Sequence, residues 1–442
     1  MAYKDLAKLY HADSSSDRYA NLEEEHQHRL QADSTFRLGF RTTAGELFIA
    51  CPRELTLLTQ QVLAGESQIA TLAASLPDEV YQPFLQGFVL DEVVSTNAIE
   101  DIASTREQVA DALHAPSDSS AERTRFRDLA LLYDALSHQR NPFGHVSGSE
   151  MRIAGSGALG DGSCASDRDS FNHEASLPRT LEDIRRIYDQ VVKGEVPDSE
   201  RPDGSLFRTD EVSIVQEAGN IVHRGLQSEA SIREALQQLL RILHDPEIPA
   251  LYRGIAGHFI FEYIHPFYDG NGRTGRYLLS LSLRGVLTTP TVLSLSQVIA
   301  KNRPRYFRAF KQAESLVNKG ELTGFVLEML RLIAAAQSQL VPKLQECLVT
   351  YGELQARCRD IATSEHLSSR EEEVVTLLAI INRFGSLRTT PLSEIALRLG
   401  LKEQAARKHL AHLEERGVVR KTRLRRPLTF AFTEEFLEEH AL

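Results

Sequence analysis

The sequence predicts a mainly α-helical protein with small β-hairpins and a winged helix at its C-terminal end. Three observations carry this expectation. Apolar residues recur at helical spacing through most of 52–360, as in LTLLTQQVLAGESQIATLAASL. Strand-like alternation is confined to short segments that flank turn residues, at 36–50 and 205–226. A helix, a Gly-Leu turn, a second helix and a basic alternating segment follow one another within 370–442.

The bulk properties set outer limits. A chain of 442 residues exceeds what one core usually holds, which implies two or three domains. Hydrophobic residues at 42% and charged residues at 25% are ordinary for a soluble globular protein. A net charge of −11 argues against a surface that coats nucleic acid or anionic membrane as a whole. Cys51, Cys164, Cys347 and Cys358 form no CxxC pair and no zinc spacing, so reduced structural thiols are expected. The N-terminus lacks the apolar stretch of a signal peptide, and no uninterrupted apolar run is long enough to span a membrane. A cytoplasmic protein with no membrane partner is the expectation.

Taken in order, the first thirty or so residues are polar and read as poorly tied down. FRLGFRTTAGELFIA, 36–50, reads as a hairpin turning at Thr43, Ala44 and Gly45. Helices follow over 52–113 and 123–138. The Gly-, Ser-, Asp- and Asn-rich stretch 139–178 reads as an exposed loop, since it lacks the strand, helix and Lys-Ser/Thr of a phosphate loop. TLEDIRRIYDQVV is helical, and a second hairpin alternates around Val212, Ile214 and Val215 with a turn near Gly219-Asn220. Amphipathic helices at 229–244 and 249–264 lead to the central motif, helices continue to about 360, and TSEHLSSREE reads as a linker. The resulting domains are 1–84, 85–345, a helical linker 346–369, and 370–442.

The chemistry concentrates in HPFYDGNGRTGR, His265 to Arg276. Pro266 disfavours helical geometry at His265, so the preceding apolar helix should end there and present the imidazole in a loop. Gly270-Asn271-Gly272 can adopt left-handed conformations that aim backbone N–H groups at one point. A new helix then begins with its positive end at the same point. Arg273 and Arg276 add two forked cations on neighbouring helix positions. Asp269 supplies a hard oxygen ligand suited to Mg²⁺. A general base, a metal carboxylate, an anion cradle and two arginines within twelve residues make up a phosphoryl-transfer toolkit.

This segment resembles the signature of the Fic family, HxFx(D/E)GNGRxxR, at every specified position. Similarity extends from about 85 to 330, with FRTDEVSIV resembling the family's target-docking flap. The resemblance implies a Fic-domain helical bundle that transfers AMP from ATP to a Ser, Thr or Tyr hydroxyl of a target protein or of the chain itself. It implies His265 as general base and Asp269 as the Mg²⁺ ligand. Asn271 and the backbone of Gly270 and Gly272 would hold the α-phosphate, Arg273 would contact the phosphates, and Arg276 the γ-phosphate. Phe267 is implied to be a core anchor. The family also contains phosphocholine transferases and Doc-type kinases; the Doc-type loop departs from GNGR and lacks the second arginine, so adenylylation is favoured here.

Upstream, in DEVVSTNAIEDI (91–102), the segment TNAIED is similar to the family's inhibitory motif [S/T]xxxE[G/N]. Glu100 would form a bidentate ion pair with Arg276 and remove the γ-phosphate's partner, leaving ATP to bind in a nonproductive pose. Asp101 replaces the Gly or Asn of the pattern, residues that suit a left-handed helix end better than Asp does. In some relatives the same Glu supports AMP removal, which leaves a bifunctional enzyme open. His258 reads as a buried support, His223 as a surface histidine in the flap region with contact to substrate as the alternative, and Tyr306 as a shaper of the nucleotide pocket.

In the C-terminal domain LSEIALRLGL and KEQAARKHLAHLEERGVV supply the two helices and VVRKTRLRRPLTFAF the wing. Arg407 and Lys408 could face a DNA groove, and Arg420, Lys421, Arg423, Arg425 and Arg426 could meet phosphates. Such modules serve equally for protein docking or dimerisation. The rival to the enzyme is a DNA-binding transcription regulator whose Fic domain senses nucleotide. A homodimer is a further expectation, with no sequence feature behind it.

Overall fold

The computed structural model describes residues 3–114, 125–138, 176–197, 200–215, 221–385, 389–423, 428–440 and 442. Most of the Gly- and Ser-rich stretch, Cys164, the Gly219-Asn220 turn, and Arg425 and Arg426 lie outside the described residues. The protein is mainly helical, with three small antiparallel sheets among the described residues. Two compact units divide it: Met1–Gln68 with Phe88–Gln339, and Ile69–Gly87 with Leu340–Leu442.

The first unit is organised around helix Ala250–Ile264, in which 12 of 15 residues are buried. A helix apolar on nearly every side can only be a central one. It packs against Glu229–Leu243 on one side and Asn271–Leu283 on the other. Gly257 permits the first approach, because a Cβ there would stand 2.5 Å from Leu243 Cδ2. Helix Asp78–Ile99 starts with Asp78 and Glu79 facing its own positive end. Helix Leu181–Val191 opens with a capping box between Thr180 and Asp183, and buries Leu181, Ile184, Ile187, Tyr188 and Val191 on one stripe.

Both hairpins form where alternation placed them. Thr35–Thr42 pairs antiparallel with Gly45–Ala50, closing at Thr42 opposite Gly45 around Thr43 and Ala44. Ser213–Val215 pairs with Ile221–Arg224, setting Ile214 opposite His223.

The N-terminal segment departs from expectation. Leu6–Ala12 and Arg18–Gln31 are helices, and Leu6, Tyr10 and Leu22 join Phe48 and Ala50 in a small core. Arg29 pairs at 3.1 Å with Glu321, whose side chain is fully buried. The polar residues that dominate this segment concealed a stripe of few but well-placed apolar ones. A second difference concerns helix Thr323–Ser364, which is long and apolar enough by composition to cross a membrane. Of its most apolar window 56% is buried within the fold, including Phe325, Leu330 and Ile333.

In the second unit, helices Ser369–Phe384, Leu392–Arg398 and Glu403–Glu415 bury Val374, Leu378, Ile395, Ala406, Leu410 and Leu413. A three-stranded sheet orders Thr390–Pro391, Thr429–Phe432 and Val419–Arg423. Gly400 takes φ +63° at the turn between the second and third of these helices. Arg407 and Lys408 are exposed. Arg420 and Lys421 are spent in part on acidic neighbours, Glu434 at 3.3 Å and Glu414 at 2.5 Å.

Candidate active site

The central helix stops at Ile264 because Pro266 excludes helical geometry at the residue before it. His265 caps the helix in the left-handed region, φ +51°, with its N–H bonded to the Phe261 carbonyl at 3.0 Å. A non-glycine residue in that region costs energy and persists only where its surroundings fix it. Arg208 does so: its fully buried guanidinium donates from Nε to the His265 carbonyl at 2.8 Å and from Nη1 to the Asp210 carbonyl.

The half-buried His265 imidazole is pushed down to about 3, chiefly by burial, with His223 and Arg208 adding to the effect. It is neutral at pH 7, and its buried Nδ1 has no hydrogen-bond partner among the described residues. A neutral imidazole is what a general base requires. His223 is not a surface residue: its ring is 8% exposed. It lies 2.7 Å from Glu314 Oε2, donates from Nε2 to the Tyr263 carbonyl at 3.0 Å, and stands 6.1 Å ring to ring from His265. Hairpin position alone suggested exposure, whereas pairing to the 213–215 strand turns the ring inward.

The loop after His265 is closed by its own side chains. Phe267 is buried and stacks on Tyr188 at 3.6 Å. Asn271 accepts from the Phe267 N–H at 3.0 Å and donates to the Phe267 carbonyl at 2.8 Å, so its amide braces the loop. Gly270 takes φ +78° as N-cap of helix Asn271–Leu283, and a Cβ there would strike Val192 Cγ1. Asp269 accepts from the Gly270 N–H at 2.7 Å, while its side chain stays 54% exposed with Oδ2 at 4.0 Å from Arg273.

Both arginines are buried and both are already paired. Arg276 donates from Nε to Thr96 Oγ1 at 2.8 Å and from Nη2 to the Thr96 carbonyl at 3.0 Å. The same Nη2 lies 2.8 Å from Glu100 Oε1. Glu100 Oε1 fills the space above Gly272, where a Cβ would collide with it. Glu100 thus meets Arg276 at Nη2, and Thr96, to which the sequence assigned no contact, holds Nε and Nη2 of the same guanidinium. Asp101 takes the left-handed conformation, φ +58°, despite being neither Gly nor Asn. Arg303 compensates with a two-pronged grip on its carboxylate, at 2.6 and 2.7 Å.

Beneath the loop, His258 is held neutral by burial, with its value lowered to about 3. Its Nδ1 donates to the Gly275 carbonyl at 3.1 Å, and Nε2 accepts from the Tyr306 hydroxyl at 2.7 Å. Tyr306 is buried and props this histidine through its hydroxyl.

Sequence reasoning missed several charged residues here. Glu195 reaches Arg273 Nη1 at 2.8 Å from beyond helix Leu181–Val191. Burial raises Glu262 to about 8, against Gly275 and near Arg276. Burial raises Glu92 to about 7; it accepts the Ser296 N–H at 3.0 Å and so ties down the Asp78–Ile99 helix. Glu262 alone carried a signal, as a lone carboxylate in an apolar helix three residues before His265.

Among the described residues no three His, Cys, Asp or Glu cluster as a metal site. Mg²⁺ commonly takes one or two protein carboxylates and completes its shell with substrate phosphates and water. Exposed Asp269, whose Oδ2 has only the long 4.0 Å pairing to Arg273 Nη2 among the described residues, fits that mode.

Comparison with known proteins places this geometry. Residues 178–283 match the family model described as "Fic/DOC family". The "Protein adenylyltransferase Fic" of Drosophila persimilis is 26% identical over 208 residues, 45% of this chain and 37% of that protein. The protein of the same name in Drosophila virilis is 30% identical over 151 residues, 34% and 27% of the two chains. The chain thus spans 37% and 27% of the length of these two curated relatives. Among solved structures, a Fic family protein from Desulfovibrio desulfuricans G20 aligns with TM-score 0.46 and 17% identity, covering 87% of this chain and 97% of that one. Fic-1 from C. elegans aligns with TM-score 0.44 and 16% identity, covering 77% and 82%. The segment 178–283, which contains the loop from His265 to Arg276, is a domain of the Fic/DOC family.

Proposed function

We propose that the chain is a protein adenylyltransferase that moves AMP from ATP to a Ser, Thr or Tyr hydroxyl of a protein, and that Glu100 restrains it. The observation that carries the reading is the junction of a neutral, half-buried His265 with a helix N-terminus 6 residues later and two buried arginines. The names of the curated relatives agree with it.

In this mechanism His265 takes the proton of the attacking hydroxyl through the lone pair of a ring nitrogen. The hydroxyl oxygen bonds to the α-phosphorus, the bond from that phosphorus to the α–β bridging oxygen breaks, and pyrophosphate leaves with the electron pair. Arg208 and the Phe267–Tyr188 stack keep the imidazole and loop in place through these steps. The N–H groups at the start of helix Asn271–Leu283 offset charge on the α-phosphate. Asp269 would hold Mg²⁺, which neutralises phosphate charge when bound. The γ-phosphate needs Arg276, and Glu100 occupies it.

The test is incubation of the parent chain, Glu100→Gly and Glu100→Gly/His265→Ala with ATP and Mg²⁺, followed by intact mass. A gain of one AMP in Glu100→Gly alone is the expected result. No gain in any variant that binds ATP would turn the reading toward a nucleotide-sensing regulator.

A further inference from the structure

Arg273 and Glu195 form an ion pair in which both side chains are nearly sealed, 1% and 4% exposed. Glu195 comes from the turn after helix Leu181–Val191, where its N–H bonds to the Val192 carbonyl at 3.0 Å and Gly194 takes φ +76°. The same stretch supports the loop twice more, through Tyr188 on Phe267 and Val192 under Gly270. Glu195 is thus fixed by the backbone that fixes the loop.

The contact differs from that at Arg276. Glu100 and Thr96 engage both Nε and Nη2 of Arg276. Glu195 engages Arg273 through Nη1; among the described residues Nε has no partner, and Nη2 faces the Asp269 carboxylate at 4.0 Å. A guanidinium is planar, so anchoring one terminal nitrogen sets where the other points. Removing one partner of a buried pair leaves the remaining charge without its counter-ion.

We propose that Glu195 is a positioning residue for phosphate recognition: it grips Arg273 by Nη1 and so directs Nη2 to the phosphates of a nucleotide on the Asp269 side. This rests on the adenylyltransferase reading for the identity of the nucleotide. Glu195 itself touches no substrate. Its effect is on polyphosphate affinity and passes entirely through Arg273.

A double-mutant cycle tests it in the Glu100→Gly background. Dissociation constants for ATP with Mg²⁺ and for adenosine are measured by calorimetry for Glu195→Gln, Arg273→Gln and the pair. AMP transfer is followed in parallel. Glu195→Gln is expected to weaken ATP about tenfold, the scale of one charge-assisted hydrogen bond, and to leave adenosine unchanged. Once Arg273 is Gln, the same change is expected to add less than about twofold, since only coupled residues fail to add. Should Glu195→Gln melt too low to use, Glu195→Asp keeps the charge but withdraws the grip, and is expected to weaken ATP in the same direction. Tighter ATP binding in Glu195→Gln would mean that Glu195 blocks Arg273 instead of aiming it. An equal loss with and without Arg273, or a loss for adenosine too, would reduce Glu195 to general fold support. A Glu100→Gly parent that binds ATP but transfers nothing would overturn the transferase reading alone, because the binding cycle still reads Glu195.

Discussion

If the proposed restraint holds, replacing Glu100 by Gly raises AMP transfer, and the geometry sets the scale. Glu100 follows the last residue of helix Asp78–Ile99, so Gly there costs little helix propensity. The change removes the 2.8 Å bond between Glu100 Oε1 and Arg276 Nη2 but leaves both bonds from Arg276 to Thr96. Arg276 therefore stays in place with a donor turned free. A charge-assisted bond is worth about 1.5–3 kcal/mol, and Glu100 with 35% of its side chain exposed belongs at the low end. A γ-phosphate that no longer has to displace Glu100 gains that amount, about 10- to 30-fold in productive occupancy. The assay is self-modification followed by intact mass over time at ATP below saturation, beside thermal melts. A rate rise of that order with stability lowered by about 1–2 kcal/mol is expected. Glu100→Gln, which keeps the shape and loses the charge, should give part of the rise. Rates within about twofold of the parent in both variants would refute the reasoning, since loss of the pair would then have freed nothing.

Other expectations follow from the same contacts. His265→Ala in the released background should lower transfer by about 10²–10⁴-fold while ATP affinity, by calorimetry, holds within about threefold. His258, lowered to about 3 from 6.5, favours the fold fully above pH 6.5 and loses that contribution as pH falls toward 3. Melts at pH 7 and pH 5 should show a smaller acid loss in His258→Gln than in the parent, by about 2 kcal/mol. Glu262 runs the other way: raised to about 8 from 4.5, its contribution is complete below pH 4.5 and fades as pH climbs through 8. Glu262→Gln should therefore gain stability over the parent at pH 8, by about 4 kcal/mol at most, and none at pH 4.5.

What could be read from the sequence was local. The loop from His265 to Arg276 is contiguous, so Pro266, the glycines and the spacing of the arginines already contain its geometry. The hairpin 36–50 was legible for the same reason. The meeting of Glu100 with Arg276 crosses about 180 positions and was accessible only through resemblance to a known motif. Pairs without such a motif stayed hidden: Glu195 with Arg273 across 78 positions, Arg208 with the His265 carbonyl across 57, and Asp101 with Arg303 across 202. Each depends on where a backbone happens to return. Asp101 shows the cost of reading a pattern position by position. Asp is poorly suited to φ +58° in isolation, yet a distant arginine holds it there. The N-terminal helices failed for a different reason: four or five apolar contacts suffice to dock a polar segment, and composition averages them away.

The most direct test of the central claim is to incubate Glu100→Gly and Glu100→Gly/His265→Ala with ATP labelled at the α-phosphate or at the γ-phosphate, and to follow label on protein. The account predicts protein-bound α-label in Glu100→Gly, none from the γ-phosphate, and loss of the α-label when His265 is Ala. Protein-bound γ-label, or α-label that persists without His265, would contradict it.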